Sequence, residues 1–570
     1  MLGMVGVPAT VYATGHLRDA RRAGALAALT GLFHLALIGV LVARDAVTLL
    51  GCWEAMTLVP AAAILVAHDE APARRAVFEY LAITHIGGAG VWVAVLTLAQ
   101  HGALGDPGGI AAAGAGMQAL VAVAGIVGFG TKAGLVPLHS WLPRAHPIAP
   151  SHLSAVMSGV MIKVALYGLV RLLGGWLGPP PLWVGLAVLA VGAASALAGA
   201  VYALFQTGLK RLLAFSSIEN AGIVAMALGA WAVLADRGEQ RWAALALAGA
   251  LLHALAHAAF KGLLFLAAGT VERAAGTVDL DRLGGLLRRL PASGAAMLTG
   301  CLAIAGVPLL AGFASEWVVL QALLRLGRDG APGIAVAGAL GVATLAATAA
   351  LAAACFAGVA GLVLLGRPRT DRAAAAREPG RAMAGAVVAL AGACLALGVV
   401  PGLLLPSLAA LAPGGAGLGR GAGPAVPGTS LPTLAVAAAL AVLVGVVWLL
   451  RGRARPAPAP AWACGQDLSP ALLWTSSAFT KPLRLMLAGV LRPERSVEVV
   501  ARGGVVREVR HRGGVPHLFD ALLYAPAVRA ALAGAAAARR LQSGRLRGYV
   551  GSMVGLVLLL LLLARTGALG

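Results

Sequence analysis

A chain of 570 residues that is 60% hydrophobic and 12% charged, with a mean hydropathy of +0.88, is not an ordinary soluble globular protein. Its net charge of +22 and pI of about 11.2 come from arginines in short linkers, not from a basic stripe interleaved with aromatics, so nucleic-acid binding is set aside. The five cysteines (Cys52, Cys301, Cys355, Cys394 and Cys464) are scattered without a CxxC, and no Walker loop or dinucleotide fingerprint is present; the expectation is no cofactor, no metal and no disulfide framework.

Apolar runs predict spanning helices near 2–14, 24–43, 46–67, 76–99, 118–137, 151–173, 183–205, 212–234, 243–269, 293–325, 333–365, 382–410, 432–450 and 549–564. The predicted class is an all-α polytopic membrane protein with about 13–14 transmembrane helices. The run 2–14 is too short to cross alone; either it is a half-span packed on its neighbours, or the given start lies inside a longer reading frame, the preferred reading. No cleavable signal peptide is read at this end.

Linker charges predict orientation. Arg18, Arg21 and Arg22 stand in 15–23, Arg74 and Arg75 in 68–75, and Lys210 and Arg211 in 206–211. Arg273, Arg282, Arg288 and Arg289 follow in 270–292, and five more arginines in 366–381, whereas 100–117 and 174–182 carry none. The basic linkers belong in the cytoplasm. The expected organisation is a partial helix and linker (1–23), five helices over 24–173, five over 183–365, and two more over 382–450. A Gly- and Pro-broken cytoplasmic extension (451–544) and a last spanning helix (545–570) complete it.

The phrases "AGLVPL" at 133–138 and "IAGVPL" at 304–309 place a proline in the fourth helix of each five-helix set. Proline removes a backbone donor, which a spanning helix tolerates only where protein or water satisfies the freed groups. Because the two sets enter the membrane from opposite sides, the expectation is two inverted repeats with discontinuous helices broken at Pro137 and Pro308.

Only five lysines occur, and Lys132, Lys163 and Lys261 lie well inside apolar runs. A desolvated lysine can release its proton, which arginine cannot. Glu54 lies in "GCWEAMTLVPA", and His139 follows Lys132 by seven residues across the break. His253, His257 and Lys261 repeat at i, i+4, i+8 and make a polar ladder along one helix side, and Glu316 stands eight residues past Pro308. Each has a plainer alternative: interhelical ties for Glu54, snorkelling for the lysines, satisfied core positions for lone histidines such as His34 and His85. A zinc site at His253 and His257 lacks the metalloprotease glutamate and an obvious third ligand.

The stretches "GFGTKAGLVPLHSWLPRAHPIAPSHLSAVMSGVMIKVALYGLVR", "LKRLLAFSSIENAGIV", "HALAHAAFKGLLFLAAG" and "GVPLLAGFASEW" resemble the proton-conducting, antiporter-like membrane subunits of respiratory complex I and related hydrogenases. "WACG" at 462–465 and "SAFTKPLR" at 477–484 resemble the branch of hydrogenase-4 component B and formate hydrogenlyase subunit 3. The resemblance implies that Glu54 is the fifth-helix glutamate, Lys132 its partner lysine in the broken seventh helix, and Lys163 the eighth-helix lysine. It likewise implies an eleventh-helix relay at His253, His257 and Lys261, with Glu316 as the terminal charged group of the twelfth, where some relatives carry lysine.

By that resemblance the expected function is proton translocation in the inner (cytoplasmic) membrane, coupled to redox chemistry in peripheral subunits of nickel–iron hydrogenase or dehydrogenase type. The expected partners are those subunits, other membrane subunits, protons and the lipid bilayer. The alternatives are a subunit of an NADH–quinone oxidoreductase or cation/proton antiporter, a structural anchor whose charges tie helices together, and an independent secondary transporter.

Overall fold

The computed structural model describes residues 1–17, 22–106, 108–412, 433–452, 473–502, 505–541 and 546–565. Arg18, Arg21 and "WACG" at 462–465 lie outside the described residues. The chain divides into two compact units, Met1–Leu483 and Arg484–Gly570.

In the first unit, α1 (Leu2–His16) precedes α2 (Ala23–Val42), α3 (Ala46–Ala67), α4 (Ala71–Gln100) and α5 (Ala115–Ala133). The chain then unwinds and resumes as α6 (Leu142–Ile148), and α7 (Ser151–Val156) runs through a π turn at Met157–Met161 into α8 (Ile162–Arg171). Next come α9 (Leu182–Leu204), α10 (Leu209–Asp236), α11 (Gln240–Ala275), the interrupted pair α12 (Pro291–Ile304) and α13 (Ala311–Leu326), and α14 (Pro332–Val359). The unit closes with α15 (Asp371–Ala374), α16 (Arg381–Val399), α17 (Pro401–Ala409), α18 (Thr433–Arg451) and α19 (Ser476–Met486), the last of which crosses the unit boundary. Eleven described helices are long and apolar enough to cross a membrane. The protein is a multi-pass membrane protein, as the apolar runs predict. The count differs from the expected spans partly because 293–325 is split into two helices and 382–410 ends at Val399, before the separate α17.

α10 and α11 are buried along nearly their whole length and form the centre of the unit. α9 can lie against α10 because glycines remove the intervening side chains. A Cβ at Gly222 would stand 2.4 Å from the Ala196 backbone nitrogen, and one at Gly229 2.4 Å from that of Leu189.

The two breaks are built alike. After α5, Gly134 adopts φ +78° and the Leu135 N–H returns to the Gly130 carbonyl at 2.8 Å; after α12, Gly306 adopts φ +68° and the Val307 N–H returns to Leu302 at 3.1 Å. Glycine accepts this left-handed conformation without Cβ strain, and proline beyond it stops the helix from resuming. The freed N–H of Val136 donates to Ser195 Oγ on α9 at 2.9 Å. Protein groups therefore satisfy the broken backbone inside the membrane region. The first break lies between α5 and α6, and the second between α12 and α13.

The second unit begins within α19, whose last residues run into α20 (Ala488–Leu491), and holds β1 (Glu494–Arg502), β2 (Val505–Gly514), α21 (Ala525–Leu541) and α22 (Leu546–Arg565). The strands pair antiparallel, with Val497 opposite His511 and Val499 opposite Val509. This hairpin is the exception to the all-α expectation; its signal is the alternation of valines with charged residues on either side of Gly503-Gly504. The stretch Asp520–Arg539 also meets the length and hydropathy of a span, although 451–544 reads as an extension by its arginines, glycines and prolines.

Candidate functional site

The predicted charged residues fall into three clusters. In the first, α3, α4 and α5 bring Glu54, His85 and Lys132 together. Lys132 is 2% exposed, and its Nζ donates to Thr57 Oγ1 at 2.5 Å, with the Tyr80 ring centroid 5.3 Å away. Thr57 follows Glu54 by three residues on the same helix face. The expected direct Glu54–Lys132 pair is not the arrangement present. Glu54 instead accepts from Trp92 Nε1 at 2.8 Å and meets His85 Nε2 at 3.3 Å.

His85 Nδ1 lies 2.7 Å from the Leu81 carbonyl, which can only accept, so this ring nitrogen is the donor and Nε2 is the one that faces the Glu54 carboxylate. His85 thus belongs with the site rather than with satisfied core histidines.

The second cluster joins Lys163 to Lys261. Lys163 Nζ donates to the Ser158 carbonyl at 2.6 Å, and Ser158 Oγ meets Ser217 Oγ at 2.8 Å. Ser216, beside Ser217 on α10, accepts from Lys261 Nζ, which also donates to the Leu213 carbonyl at 3.0 Å. The π turn at Met157–Met161 shifts Ser158 out of ordinary helical register at the middle of this link. Lys163 also lines a cavity of about 260 Å³ with Leu2, Val224 and Ala254.

The third cluster runs from Lys261 toward Glu316. His253 and His257 are fully buried one turn apart on α11, as their spacing predicts. His253 Nδ1 meets Ser315 Oγ on α13 at 2.9 Å, and neither ring nitrogen of His257 has a protein partner. Buried polar atoms require hydrogen bonds, so water is the natural partner there. Glu316 is half-buried, and its carboxylate lies 3.3 Å from where a Cβ would stand on Gly306, so it reaches back over the second break. His139 is 3% exposed and sits in the unwound stretch after α5 beside Pro137, while Pro308 stands in the second break.

Sequence reasoning missed Thr57, Trp92, the three serines and Glu219. Glu219 is 2% exposed on α10. Its signal was available: a carboxylate inside "SSIEN", in the middle of a 28-residue apolar helix. The serines offered none, since hydroxyls in spanning helices usually bond their own backbone.

A polytopic bundle with two broken helices and a buried lysine–histidine spine defines an antiporter-like membrane protein. Residues 43–341 match the NADH:quinone oxidoreductase/Mrp antiporter transmembrane family, and the chain belongs to it. It is 33% identical to hydrogenase-4 component B of Escherichia coli K12 over 586 residues, covering 99% of this chain and 87% of that protein. It is 38% identical to formate hydrogenlyase subunit 3 of the same organism, covering 65% of this chain and 60% of the relative. Its fold matches a chain of the membrane-bound sulfane sulfur reductase, an archaeal respiratory membrane complex, with a TM-score of 0.76, 22% identity and coverage of 98% and 87%.

Proposed function

We propose that this chain is the proton-translocating membrane subunit of a multisubunit redox complex, resident in the inner (cytoplasmic) membrane with its basic linkers in the cytoplasm. The observation that carries this reading is the hydrogen-bonded series Lys163–Ser158–Ser217 and Ser216–Lys261, buried between helices. Buried ionisable groups in spanning segments are costly, and their usual role is in ion pathways. Lys261 bonds the Ser216 hydroxyl directly, and Lys163 bonds the backbone carbonyl of Ser158, whose hydroxyl meets that of Ser217; such lysines can hold a proton, and the neighbouring hydroxyls can help to pass it.

In this reading Glu54 acts as the switch. A carboxylate beside a buried ammonium favours its charged form, and a carboxylate that withdraws removes that support. Glu54, held by His85 and Trp92, is displaced from the Lys132–Thr57 contact. Its swing toward Lys132 would load that lysine; its return would release the proton through His139 and Lys163 toward Lys261. His257, His253 and Glu316 continue the route. The similar breaks at Pro137 and Pro308, each fourth in its set, support two inverted five-helix repeats. In this reading the electron-transfer partners are peripheral subunits of nickel–iron hydrogenase or dehydrogenase type; the names of two relatives, hydrogenase-4 component B and formate hydrogenlyase subunit 3, support a multisubunit hydrogenase-like assembly.

The test is proton movement into sealed vesicles carrying the complex. Lys132→Ala and Glu54→Ala are expected to lower it while the complex still assembles. Unchanged movement would refute the relay, and loss of assembly with full activity in the remaining complex would favour a structural anchor.

A further inference from the structure

Two buried aromatic rings flank the Lys132 ammonium: its Nζ lies 5.3 Å from the centroid of the Tyr80 ring and 6.0 Å from that of Trp141. Both side chains are fully buried. We propose that Tyr80 and Trp141 are positioning residues for proton transfer, an aromatic cage that keeps the Lys132 ammonium at Thr57 while Glu54 moves. The cage presupposes the relay reading above and adds what holds the lysine still when its carboxylate turns away.

The first break builds one wall of the cage. In an unbroken α5 the Thr131 carbonyl would receive the Leu135 N–H, but that N–H returns to Gly130 instead. The Thr131 carbonyl takes the Gly134 N–H at 3.0 Å and the Trp141 Nε1–H at 2.8 Å. Trp141, which stands just before α6, is thereby fastened to the residue preceding Lys132. The other wall comes from α4. Tyr80 Oη donates to the Thr57 carbonyl at 3.1 Å, and the hydroxyl of the same Thr57 accepts from Lys132.

Each ring thus has its polar end tied to a backbone carbonyl and its apolar body against the lysine. The rings also meet each other, with centroids 5.1 Å apart and planes at 41°. Outside them, the half-buried Arg144 of α6 pairs with Glu79 of α4. That ion pair lies one residue from Tyr80 and three from Trp141, so it fastens together the two segments that carry the rings.

Charge gives such a cage its use. A buried ammonium needs attractive partners, and Glu54 is engaged by His85 and Trp92. The face of a Tyr or Trp ring attracts a cation within about 6 Å, and both rings here lie near that limit. A carboxylate beside an ammonium changes its proton affinity about 10- to 1,000-fold, whereas one ring face favours a cation about 2- to 30-fold. The rings therefore guide the ammonium to Thr57, and Glu54 decides whether it keeps its proton. Without them the ammonium follows the carboxylate into a standing ion pair, and the swing of Glu54 no longer separates the charges.

The experiment uses the intact complex, purified through a tag on this chain and reconstituted in sealed vesicles with a pH-sensitive dye. Tyr80→Phe keeps the ring, loses the bond to the Thr57 carbonyl and serves as the reference. Phenylalanines with one, two or three ring fluorines, placed at position 80 by stop-codon suppression, withdraw charge from that face while nearly preserving its shape. Proton movement is expected to fall with each fluorine, by about tenfold across the series, which a merely structural ring would not do. Equal rates across the series in assembled complex overturn the cage. If Lys132→Ala in the same vesicles nonetheless stops proton movement, the relay stands without it. If Lys132→Ala runs normally, the relay reading fails and the cage with it. Should Tyr80→Phe not assemble, tryptophans with one to three fluorines at position 141, which keep the Nε1–H bond to Thr131, carry the same expectation and the same refutation.

Discussion

Ser217→Ala removes a single hydroxyl and tests whether Lys163 and Lys261 communicate. Ser217 Oγ lies 2.8 Å from Ser158 Oγ and donates to the Leu213 carbonyl at 2.8 Å, the same carbonyl that receives Lys261. Both serines are fully buried, so water does not freely replace the lost partner. Leaving Ser158 Oγ unsatisfied costs about 1–3 kcal/mol. If that cost falls wholly on the transfer step, proton movement slows about 5- to 150-fold, since each 1.36 kcal/mol is tenfold. Ser217→Thr retains the hydroxyl and is expected to recover most of the rate. The assay is initial proton movement in sealed vesicles, normalised to assembled complex on a native gel. A Ser217→Ala rate equal to wild type, with normal assembly, would refute the hydroxyl link.

His85→Phe leaves Glu54 with Trp92 as its remaining side-chain partner shown by the structure; proton movement should fall several-fold in the same vesicles with assembly retained. Glu272→Gln leaves the buried Lys210 ammonium without its counter-charge, at a cost of about 1–3 kcal/mol given that Glu272 is partly exposed, and should lower the melting temperature of the solubilised protein. Gly222→Ala places a methyl 2.4 Å from the Ala196 nitrogen and should destabilise the α9–α10 contact by about 1–3 kcal/mol, read as reduced folded protein. Gly31→Ala, whose Cβ would meet nothing within 4 Å, should be neutral or slightly stabilising in the same measurement.

Much of the membrane fold was legible because apolar length is a strong signal in a chain of this composition. The breaks were legible too: the phrases AGLVPL and IAGVPL read as helix stops, and Gly134 and Gly306 take the left-handed conformation that such stops require. The i, i+4 ladder on α11 followed from periodicity alone. The partners of the charges were not legible. Spacing along α3 cannot say whether Lys132 meets Glu54 or Thr57, because that depends on how α5 packs against it. Serines 158, 216 and 217 read as ordinary small residues until a π turn and a helix crossing brought them together.

The central claim is that a proton resides in turn on the buried lysines while electrons move elsewhere in the complex. Its most direct test is the number of protons moved per electron by the reconstituted complex carrying Lys163→Met. The account predicts that electron transfer persists in assembled complex while that ratio falls markedly. A ratio equal to that of the unaltered complex would contradict it.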